Sequence, residues 1–403
     1  MSFLPVEQQL EVIKRGVTEI IPENELIHKL KRSIKTGKPL RVKLGCDPTR
    51  PDLHLGHSVI LRKLRQFQDL GHHAILIIGD FTATIGDPTG QKKMRPSLTM
   101  DEIMENAKTY FDQASRILDA EKTEIVYNSE WLGKMNFSDV IRLASKYTLA
   151  RMIERDDFTN RYENNEPIAL HEFLYPLAQG QDSVHLKSDI ELGGQDQKFN
   201  LLVGRDLQKI DEQEPQVCLM MPLLVGTDGS AKMSKSYDNY IGIDEPSNDM
   251  YGKLLKVPDE LIYTYFELIS DVPIDELPAI KEKAEKDPRN AKHDLALTIT
   301  RMYYDAKTAQ DAREHFEKTI IKKDVPDDIP EFPQQTGSYR LIELIRSVGF
   351  APSNGEARRL IQQGGVSADG NQIKDVNTEI HIDTETDFVL KVGKRKFGRI
   401  ICE

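Results

Sequence analysis

Pro51-Asp52-Leu53-His54-Leu55-Gly56-His57 is the stretch around which the whole chain is organised. The residues before it, 40–45, alternate enough to predict a half-buried strand, and apolar residues after it, within 57–67, recur at helical spacing. An apolar run follows at 74–79 and is typical of a parallel strand covered on both faces. The stretch is therefore predicted to be a strand-to-helix turn, where the helix dipole favours phosphate. Because Gly56 lacks a Cβ, a flat ligand can lie against the backbone there.

The composition limits the classes of protein to which the chain can belong. Its 403 residues are too many for one core, so two or three domains are expected, and 39% apolar with 30% charged residues is typical of a globular protein. The net charge of −11 argues against indiscriminate nucleic-acid binding. Residues 337–403 hold ten Lys/Arg against nine Asp/Glu, a balance of +1 that leaves −12 for the rest and permits a local RNA contact.

The sequence gives no sign of secretion or of a membrane anchor. No apolar run approaches the roughly 20 residues of a membrane span, and residues 1–5 lead into polar sequence, unlike a signal peptide. Cys46, Cys218 and Cys402 are far apart and fit neither a zinc pattern nor a disulfide framework. We therefore expect a cytoplasmic protein without a membrane partner and without a tightly bound metal held by its side chains.

Strands and helices alternate from 40 to 225, which predicts an α/β fold with a Rossmann-like parallel sheet covered on both faces. Such sheets bind ligands at the carboxyl ends of their strands. In this interpretation residues 170–182 form a helix, residues 184–186 begin the next strand, and residues 1–36 form one or two surface helices. We assign residues 1–240 to this first domain.

The rest of the chain is predicted to form two further domains. Residues 241–325 show no strand pattern and are expected to be α-helical, and the linker 326–336 contains three prolines within eight residues. Residues 337–403 are expected to form a small α+β domain. Its predicted elements are helices over 339–348 and 354–363, strands around 364–368 and 380–392, and a hairpin turn at Asp369-Gly370.

His54-Leu55-Gly56-His57 and Lys232-Met233-Ser234-Lys235-Ser236 together resemble the two signatures of class I aminoacyl-tRNA synthetases. The first motif alone is a modest signal, but the second, some 175 residues later, argues strongly against chance. Around them the chain is similar to bacterial tyrosyl-tRNA synthetases. The stretches that carry this similarity are 45–49, 85–90, 193–197 and the helix with Tyr175, Gln179 and Asp182, while 353–361 and 365–366 resemble the S4-like RNA-binding domain of those enzymes.

The resemblance implies ATP-dependent ligation of L-tyrosine to tRNA(Tyr) in two steps. The tyrosine carboxylate attacks the α-phosphate of ATP and expels pyrophosphate, and a terminal ribose hydroxyl of the tRNA then takes the tyrosyl group and releases AMP. Such catalysis depends on placement and on donors aimed at the phosphate charge, so the protein needs to supply no nucleophile or general base. Mg²⁺ is expected to accompany ATP as a ligand of the phosphates.

On the phosphate side, His54 and His57 lie at i and i+3, so both imidazoles can point at one phosphate from a helix start. Such a pair alone is more often packed or capping, and it is the lysine motif that favours phosphate binding. The resemblance assigns to the same phosphates the side chains of Thr49, Lys92, Arg95, Lys232 and Lys235. Gln91 stands where many relatives have a further lysine.

The resemblance also implies a tyrosine pocket in which Asp182 accepts a hydrogen bond from the phenol. Such a carboxylate rejects phenylalanine, because without the hydroxyl the carboxylate is left unpaired. The implied ligands of the ammonium and carboxylate groups of the substrate are Tyr175, Gln179, Asp87 and Gln197. Lys43 stands where many relatives place a tyrosine, so it either donates to the phenol or points away. The implied ATP-side contacts are those of Gly56, Asp47, Gly194, Asp196 and Lys235.

The expected macromolecular partners are tRNA(Tyr) and, from the resemblance alone, a second copy of the chain in a homodimer; DNA is not expected. Basic side chains of the C-terminal domain are candidates for RNA phosphate contacts, as a patch rather than singly: Arg358, Arg359, Lys394, Arg395 and Lys396. Trp131 is expected in the core or at an interface.

Three alternatives remain open at this point. Activation of tryptophan on the same scaffold would not need an acceptor at Asp182 for a phenol. An RNA-binding protein without catalysis would not need intact His54, His57, Lys232 and Lys235. A simple nucleotidyltransferase would not need two further domains that contact RNA.

Overall fold

The computed structural model describes residues 3–49, 52–89, 99–323, 329–384, 386–393 and 396–402. The chain divides into two compact units, residues 1–310 and 311–403. The predicted boundary at 240/241 and the predicted linker 326–336 stay predictions.

A six-stranded sheet is the centre of the first unit. Its strands are β1 (Glu19–Ile21), β2 (Arg41–Cys46), β3 (His73–Ile78), β4 (Thr123–Tyr127), β5 (Ile190–Gly194) and β6 (Val217–Met221), in the order β1-β6-β5-β2-β3-β4. All neighbours are parallel except β1, which runs antiparallel to β6. The predicted parallel sheet is confirmed, and β6 is buried along its whole length. The chain winds to opposite sides from β2 and β5, so the carboxyl ends of these neighbours form the switch point at which such folds bind ligands.

Helices cover this sheet and continue beyond it. Their bounds are α1 (Val6–Lys14), α2 (Glu23–Thr36), α3 (Leu55–Asp69), α4 (Thr82–Ile85), α5 (Met100–Ala114), α6 (Ser129–Leu132), α7 (Phe137–Ser145), α8 (Leu149–Ile153), α9 (Asp156–Glu163), α10 (Leu174–Leu186), α11 (Lys198–Ile210), α12 (Ser247–Leu254), α13 (Ile262–Ile269), α14 (Leu277–Lys286), α15 (Pro288–Tyr303) and α16 (Ala306–Lys323). Short 3₁₀ helices span Ala120–Lys122, Leu170–Phe173, Gln195–Gln197, Lys235–Tyr237, Asp259–Leu261 and Ile274–Glu276.

Two expectations for the first unit are wrong. Residues 184–186 do not begin a strand, because α10 continues to Leu186 and the strand begins only at Ile190. Val184 packs with Val203 and Leu207 of α11 on the buried side of α10. The apolar–polar–apolar pattern of 184–186 is too short to distinguish a strand from such a helix end. Residues 1–36 contain the edge strand β1 between their two helices, and this strand is defined by pairing with β6, far away in sequence.

The helical stretch is as expected. From residue 245 to 323, all within the described chain, the structure has helices and no strand. In the described part of the chain, no helix is long and apolar enough to cross a membrane. Likewise, no three His, Cys, Asp or Glu side chains of the described ranges are grouped so as to hold a metal ion.

The second unit packs two helices, α17 (Leu341–Ser347) and α18 (Asn354–Gln362), against short strands. The strands are β7 (Glu331–Gln334), β8 (Gly337–Arg340), β9 (Val366–Ala368), β10 (Asn371–Gln372), β11 (Glu379–Ile382), β12 (Asp387–Val392) and β13 (Lys396–Cys402). They form one sheet in the order β10-β9-β12-β13-β7 and a separate pair β11-β8. The predicted α+β character and the turn at Asp369-Gly370 are confirmed, but β7, β8 and β13 were missed, and residues 339–340 lie in β8 rather than in the helix.

Candidate active site

A cavity of about 260 Å³ lies at the carboxyl ends of β2 and β5. The predicted site residues among those that line it are Asp47, Thr49, His57, Asp87, Tyr175, Gln179, Asp182, Gly194 and Gln197. These residues come from stretches scattered over 47–197 of the sequence, and the sheet brings them to one edge. The cavity therefore coincides with the switch point of the fold.

The two signature motifs lie side by side. The Leu55 N–H donates to the Ile241 carbonyl over 2.9 Å, and the Ile243 N–H donates to the Leu53 carbonyl over 3.2 Å, which joins the first motif to the strand-like segment after the second. A Cβ added at Gly56 would lie 3.5 Å from Cβ of Met233 and 2.8 Å from the ring of His54. The distance to Met233 is an ordinary van der Waals contact, whereas the distance to the His54 ring is too short, so glycine is needed for the ring of His54 to fold back over the start of the helix.

The histidines are held as neutral hydrogen-bond donors. His54 caps α3 through Nδ1, which accepts from the Gly56 N–H over 3.1 Å, while Nδ1 of His57 accepts from the His54 N–H over 3.2 Å. Desolvation, followed by His57 and Lys235, lowers the pKa of His54 to about 2, and desolvation with Lys235 lowers the pKa of His57 to about 4. Because each Nδ1 accepts, the single proton of each ring sits on Nε2, the end left for a ligand.

The two lysines of the second motif are each paired with a carboxylate. Nζ of Lys235 contacts Asp52 and lies 5.6 Å from the ring centroid of Tyr240. Nζ of Lys232 lies 3.5 Å from Oδ2 of Asp196. These are partly exposed pairs of the kind that contribute little stability, so an incoming phosphate can replace either carboxylate.

Asp182 stands at the buried end of the cavity, with only 3% of its surface exposed. It accepts hydrogen bonds from Nε1 of Trp131 over 2.9 Å and from Nδ2 of Asn128 over 3.3 Å. Burial raises the pKa of Asp182 to about 7, against the opposing influence of Lys43 and the two hydrogen bonds. Trp131, stacked on His185 with ring centroids 4.4 Å apart, is thus a site residue as well as a core residue.

A hydrogen bond to Asp47 fixes the hydroxyl of Tyr175. Its hydroxyl donates to Oδ2 of Asp47 over 2.8 Å, and Oγ1 of Thr82 donates to Oδ1 over 2.7 Å. A Cβ at Gly79 would lie 2.0 Å from Oδ1 of Asp47, so glycine is required there. Asp47 was predicted on the ATP side; its two oxygens accept from Tyr175 and Thr82, and its role toward ATP stays a prediction.

Asp87 belongs to a second network, which sequence reasoning found only in part. Nε2 of Gln197 donates to Oδ2 of Asp87 over 2.8 Å, and Nδ2 of Asn200 donates to Oε1 of Gln197 over 2.8 Å. The Arg155 guanidinium, 4% exposed, contacts Thr89 and lies 3.5 Å from Oδ1 of Asp87. Arg155 and Asn200 were not predicted as site residues, because nothing in their local sequence marks them.

The comparisons with known proteins agree with this geometry. Residues 35–320 match the family described as tRNA synthetases class I (W and Y), and residues 321–400 match the tyrosine–tRNA ligase SYY-like C-terminal domain. The tyrosine–tRNA ligase of Salinibacter ruber is 56% identical over 403 residues, which covers 99% of this chain and 98% of that protein. The chain belongs to the tyrosine–tRNA ligase family.

Solved structures of tyrosyl-tRNA synthetases share the fold. The C-terminally truncated mitochondrial enzyme of Aspergillus nidulans matches with a TM-score of 0.65 and 22% identity, over 78% of this chain and 94% of that chain. The Archaeoglobus fulgidus enzyme, solved in complex with L-tyrosine, matches with a TM-score of 0.59 and 25% identity, over 77% of this chain and 99% of that chain. The predicted family, the α/β fold class and the assignment as a tyrosine–tRNA ligase are thereby confirmed, and the alternatives left open by the sequence lose their support.

Lys43 is the clearest departure from the pocket expected for a tyrosine–tRNA ligase. It is fully buried and is not among the residues that line the cavity. Its Nζ lies 2.9 Å from Oε1 of Glu191, the residue opposite it on β5. The sequence left open whether Lys43 donates to the phenol or points away from it. The structure favours the second orientation, because the ammonium group of Lys43 is already paired with the carboxylate of Glu191.

Several predicted residues lie outside the described part of the chain or contact other groups of the protein. Lys92, Arg95, Lys394 and Arg395 lie outside the described residues. In the second unit, Arg358 is exposed, Arg359 pairs with Glu356 at 2.6 Å, and Nζ of Lys396 donates to the Phe350 carbonyl over 2.6 Å. The RNA-binding patch therefore stays a prediction.

The sequence did not identify Asn128 as a hydrogen-bond donor to Asp182. Asn128 and Trp131, three residues apart, follow directly after β4. Their position was the available signal, because polar groups just after a parallel strand tend to face the ligand-binding edge of the sheet. Tyr110 was missed as well. It lines the cavity and meets the ring of His57 edge-on, with centroids 6.3 Å apart.

Proposed function

We propose that this cavity holds L-tyrosine and ATP side by side, forms tyrosyl-adenylate there, and then passes the tyrosyl group to tRNA(Tyr). The observation that carries the proposal is that Asp182, Gln179 and His57 line one space. A carboxylate for the phenol, an amide for the ammonium group and an imidazole for phosphate thus meet in a single cavity. The complex of the Archaeoglobus fulgidus enzyme with L-tyrosine supports a tyrosine site in this fold.

Asp182 reads the phenol. Trp131 and Asn128 orient its carboxylate before the substrate arrives, and the remaining lone pairs accept the phenol O–H. Phenylalanine would bury the same carboxylate without a partner, and this penalty gives specificity without an editing step.

Tyr175, Gln179 and Asp87 bind the ammonium group of tyrosine, and Gln197 lies toward its carboxylate. Asp47 orients Tyr175 through the hydrogen bond to its hydroxyl. Gln197 and Arg155 orient Asp87, which supplies the negative charge for the ammonium. This arrangement turns the tyrosine carboxylate toward the histidines, where the α-phosphate is to be attacked.

At the phosphate end, the Nε2–H groups of His54 and His57 donate to the phosphates without bringing charge of their own. Lys232 and Lys235 leave their carboxylate partners and bind the β- and γ-phosphates, together with Thr49. As the tyrosine oxygen bonds to the α-phosphorus, the bond to the bridging oxygen breaks and pyrophosphate leaves with the electron pair. These donors stabilise the charge that develops, and Mg²⁺ bound to the phosphates would neutralise part of it. Lys92 and Arg95 keep their predicted role toward pyrophosphate.

Gly56, Gly194 and Asp196 bind the adenosine part of ATP. A Cβ at Gly194 would lie 2.6 Å from Oδ1 of Asp196, so the glycine leaves this carboxylate room beside the backbone. When Lys232 moves from Asp196 to a phosphate, the freed carboxylate accepts the ribose hydroxyls. One event therefore prepares both the phosphate and the ribose contacts.

The enzyme acts as a homodimer through a surface that includes exposed apolar side chains of residues 137–170. The large ones are Phe137, Ile141, Leu149, Tyr162 and Leu170, of which Phe137 and Leu170 are 80% and 83% exposed. Phe137→Asp should give a monomer by analytical ultracentrifugation. Ile34→Asp, which changes an exposed apolar residue on α2, should leave the dimer intact; a dimer in both variants would disprove this surface.

The tRNA is held in part by the basic patch of the second unit, and the enzyme works in the cytoplasm. No disulfide bond joins cysteines in the described part of the chain, which supports a reducing compartment. Neither DNA nor a membrane is a partner.

ATP–pyrophosphate exchange measured with each of the twenty amino acids tests the proposed activity. Exchange is expected with tyrosine and to be absent, or lower by orders of magnitude, with phenylalanine and tryptophan. Exchange with tryptophan but not with tyrosine would overturn the proposal.

A further inference from the structure

Lys43 and Glu191 form a buried ion pair directly behind the cavity. They stand opposite each other on β2 and β5, their side chains are 1% and 2% exposed, and Nζ lies 2.9 Å from Oε1. A pair this deep contributes little net stability, because removing two charges from water offsets most of their attraction. Its position next to the cavity suggests a role other than holding the sheet together.

The carboxylate of Glu191 accepts from four donors. Oε1 accepts hydrogen bonds from Nζ of Lys43 and from Nε2 of Gln179, the latter over 3.1 Å. Oε2 accepts hydrogen bonds from Oγ of Ser183 over 3.2 Å and from Nε2 of Gln216. Each oxygen therefore accepts two hydrogen bonds, which uses the whole accepting capacity of an ionised carboxylate.

Gln179 is the member of this cluster that also lines the cavity. An ionised carboxylate carries no hydrogen, so the end of the amide that faces Glu191 has to be the NH₂ group. The carbonyl oxygen of Gln179 is then the end turned away from Glu191. If the amide were flipped, its carbonyl would face the carboxylate oxygen, and its NH₂ would meet the substrate's ammonium with donors on both sides.

We propose that Glu191 and Lys43 are positioning residues that fix the Gln179 amide with its carbonyl oxygen toward the substrate ammonium. The inference rests on the proposed tyrosine site and adds to it the groups that set its polarity. Lys43 has its own role: its ammonium group lies 2.9 Å from Oε1 of Glu191 and supplies the counter-charge that a buried carboxylate needs, so that Glu191 can accept from Gln179.

The test compares two ligands that differ only at the ammonium group. L-Tyrosine and 3-(4-hydroxyphenyl)propanoate, which lacks the amine, are titrated against the full chain by calorimetry. The unmodified protein is expected to prefer L-tyrosine. In the paired variant Lys43→Met/Glu191→Gln, affinity for L-tyrosine should fall about tenfold, the loss expected for one charge-assisted hydrogen bond, while affinity for the amine-free analogue should change less than about twofold.

The paired variant is chosen because Glu191→Gln alone leaves the Lys43 charge buried and unpaired, which is strongly destabilising. Ser183→Ala is the matched control, since Ser183 donates to the other oxygen of Glu191 and its removal leaves the contact to Gln179 in place. Its preference for L-tyrosine should equal that of the unmodified protein. In Gln179→Ala, adding the Lys43→Met/Glu191→Gln pair should reduce the preference no further, because the group that the pair orients is gone.

Equal weakening of both ligands in the paired variant would mean a merely structural role and would overturn the inference, as would an unchanged preference. A lack of preference for L-tyrosine in the unmodified protein would instead disprove the ammonium site of the proposed function. The two failures are therefore distinguishable.

Discussion

At one end of the cavity, Asp182 is 3% exposed and already accepts hydrogen bonds from Trp131 and Asn128. At the two signature motifs, outside the residues that line the cavity, Lys235 and Lys232 lie in partly exposed pairs with Asp52 and Asp196. Under the proposed function, the tyrosine end is thus assembled before the substrate arrives, whereas the phosphate end holds its cations on carboxylates that ATP would replace. A buried and fixed acceptor discriminates between substrates, while weakly held cations can follow charge as it develops.

Removing the acceptor at the fixed end should have the largest effect. Asp182→Ala is expected to lower the preference for tyrosine over phenylalanine to about 10² or less, from about 10⁵, the discrimination for which enzymes of this family are the standard example. The measurement is kcat/KM for both amino acids in ATP–pyrophosphate exchange. Gln179→Ala is the contrast within the same pocket, because it weakens both substrates through their common ammonium group. An unchanged preference in Asp182→Ala would mean that the pocket is misassigned.

At the exchangeable end, Lys235→Ala should slow adenylate formation by about 10²-fold, because it removes a donor used mainly in the transition state. Tyrosine affinity should stay within about twofold, as measured by equilibrium titration beside single-turnover rates. Lys253, whose Nζ lies 5.0 Å from the ring of the same Tyr240, offers a matched cation, and Lys253→Ala should change the rate less than about threefold. Equal losses of rate and of tyrosine affinity in Lys235→Ala would contradict the contrast between the two ends.

The pH dependence separates the two ends without a mutation. Since burial raises the pKa of Asp182 to about 7, its ionised fraction falls as the pH is lowered, and kcat/KM for tyrosine should drop about tenfold from pH 8 to pH 6. The histidines, with pKa values of about 2 and 4, stay neutral across this range and contribute nothing. The profile for phenylalanine should rise rather than fall as the pH is lowered, because protonation of Asp182 removes the penalty of burying an unpaired carboxylate. A profile for tyrosine that persists in Asp182→Asn would assign the titration to another group.

The smallest effect concerns the ion pair that Lys235 leaves. Asp52 is 44% exposed, so its pair with Lys235 contributes about 0.2–1 kcal/mol, and Asp52→Asn should lower KM for ATP by at most about fivefold. Asp69→Asn, which removes an exposed pair with Arg65 on the outside of α3, should leave KM for ATP unchanged. A rise of KM for ATP in Asp52→Asn would show that Asp52 binds the nucleotide rather than competing with it.

The sequence was most informative where partners are close along the chain. Thr99 and Glu102, three residues apart, form a capping box of the kind that a local pattern indicates, with the Thr99 N–H donating to Oε2 of Glu102 over 2.9 Å. The helix that follows the first motif was likewise readable from its period. Asn128 and Trp131 were missed as ligands of Asp182 because they lie 54 and 51 residues away from it, and no periodicity links positions so far apart.

The two histidines illustrate both sides of this limit. Their spacing placed them at a helix start, but their neutral state depends on burial and on Lys235, which only the pairing of 241–243 with the first motif brings near. Lys43 shows the same limit more strongly: its residue type left two orientations open, and the position of Glu191 on the neighbouring strand chose between them.

The sequence by itself therefore determined the motifs, the family, the alternation of parallel strands with helices that defines the fold class, and which residue types were available for chemistry. These follow from local patterns, since apolar periodicity and short-range capping need only a few neighbouring residues. The tertiary structure alone decided the protonation of the histidines, the partner of Lys43 and the hydrogen-bond donors to Asp182. Those properties depend on desolvation and on contacts between parallel strands, which exist only once distant segments have packed together.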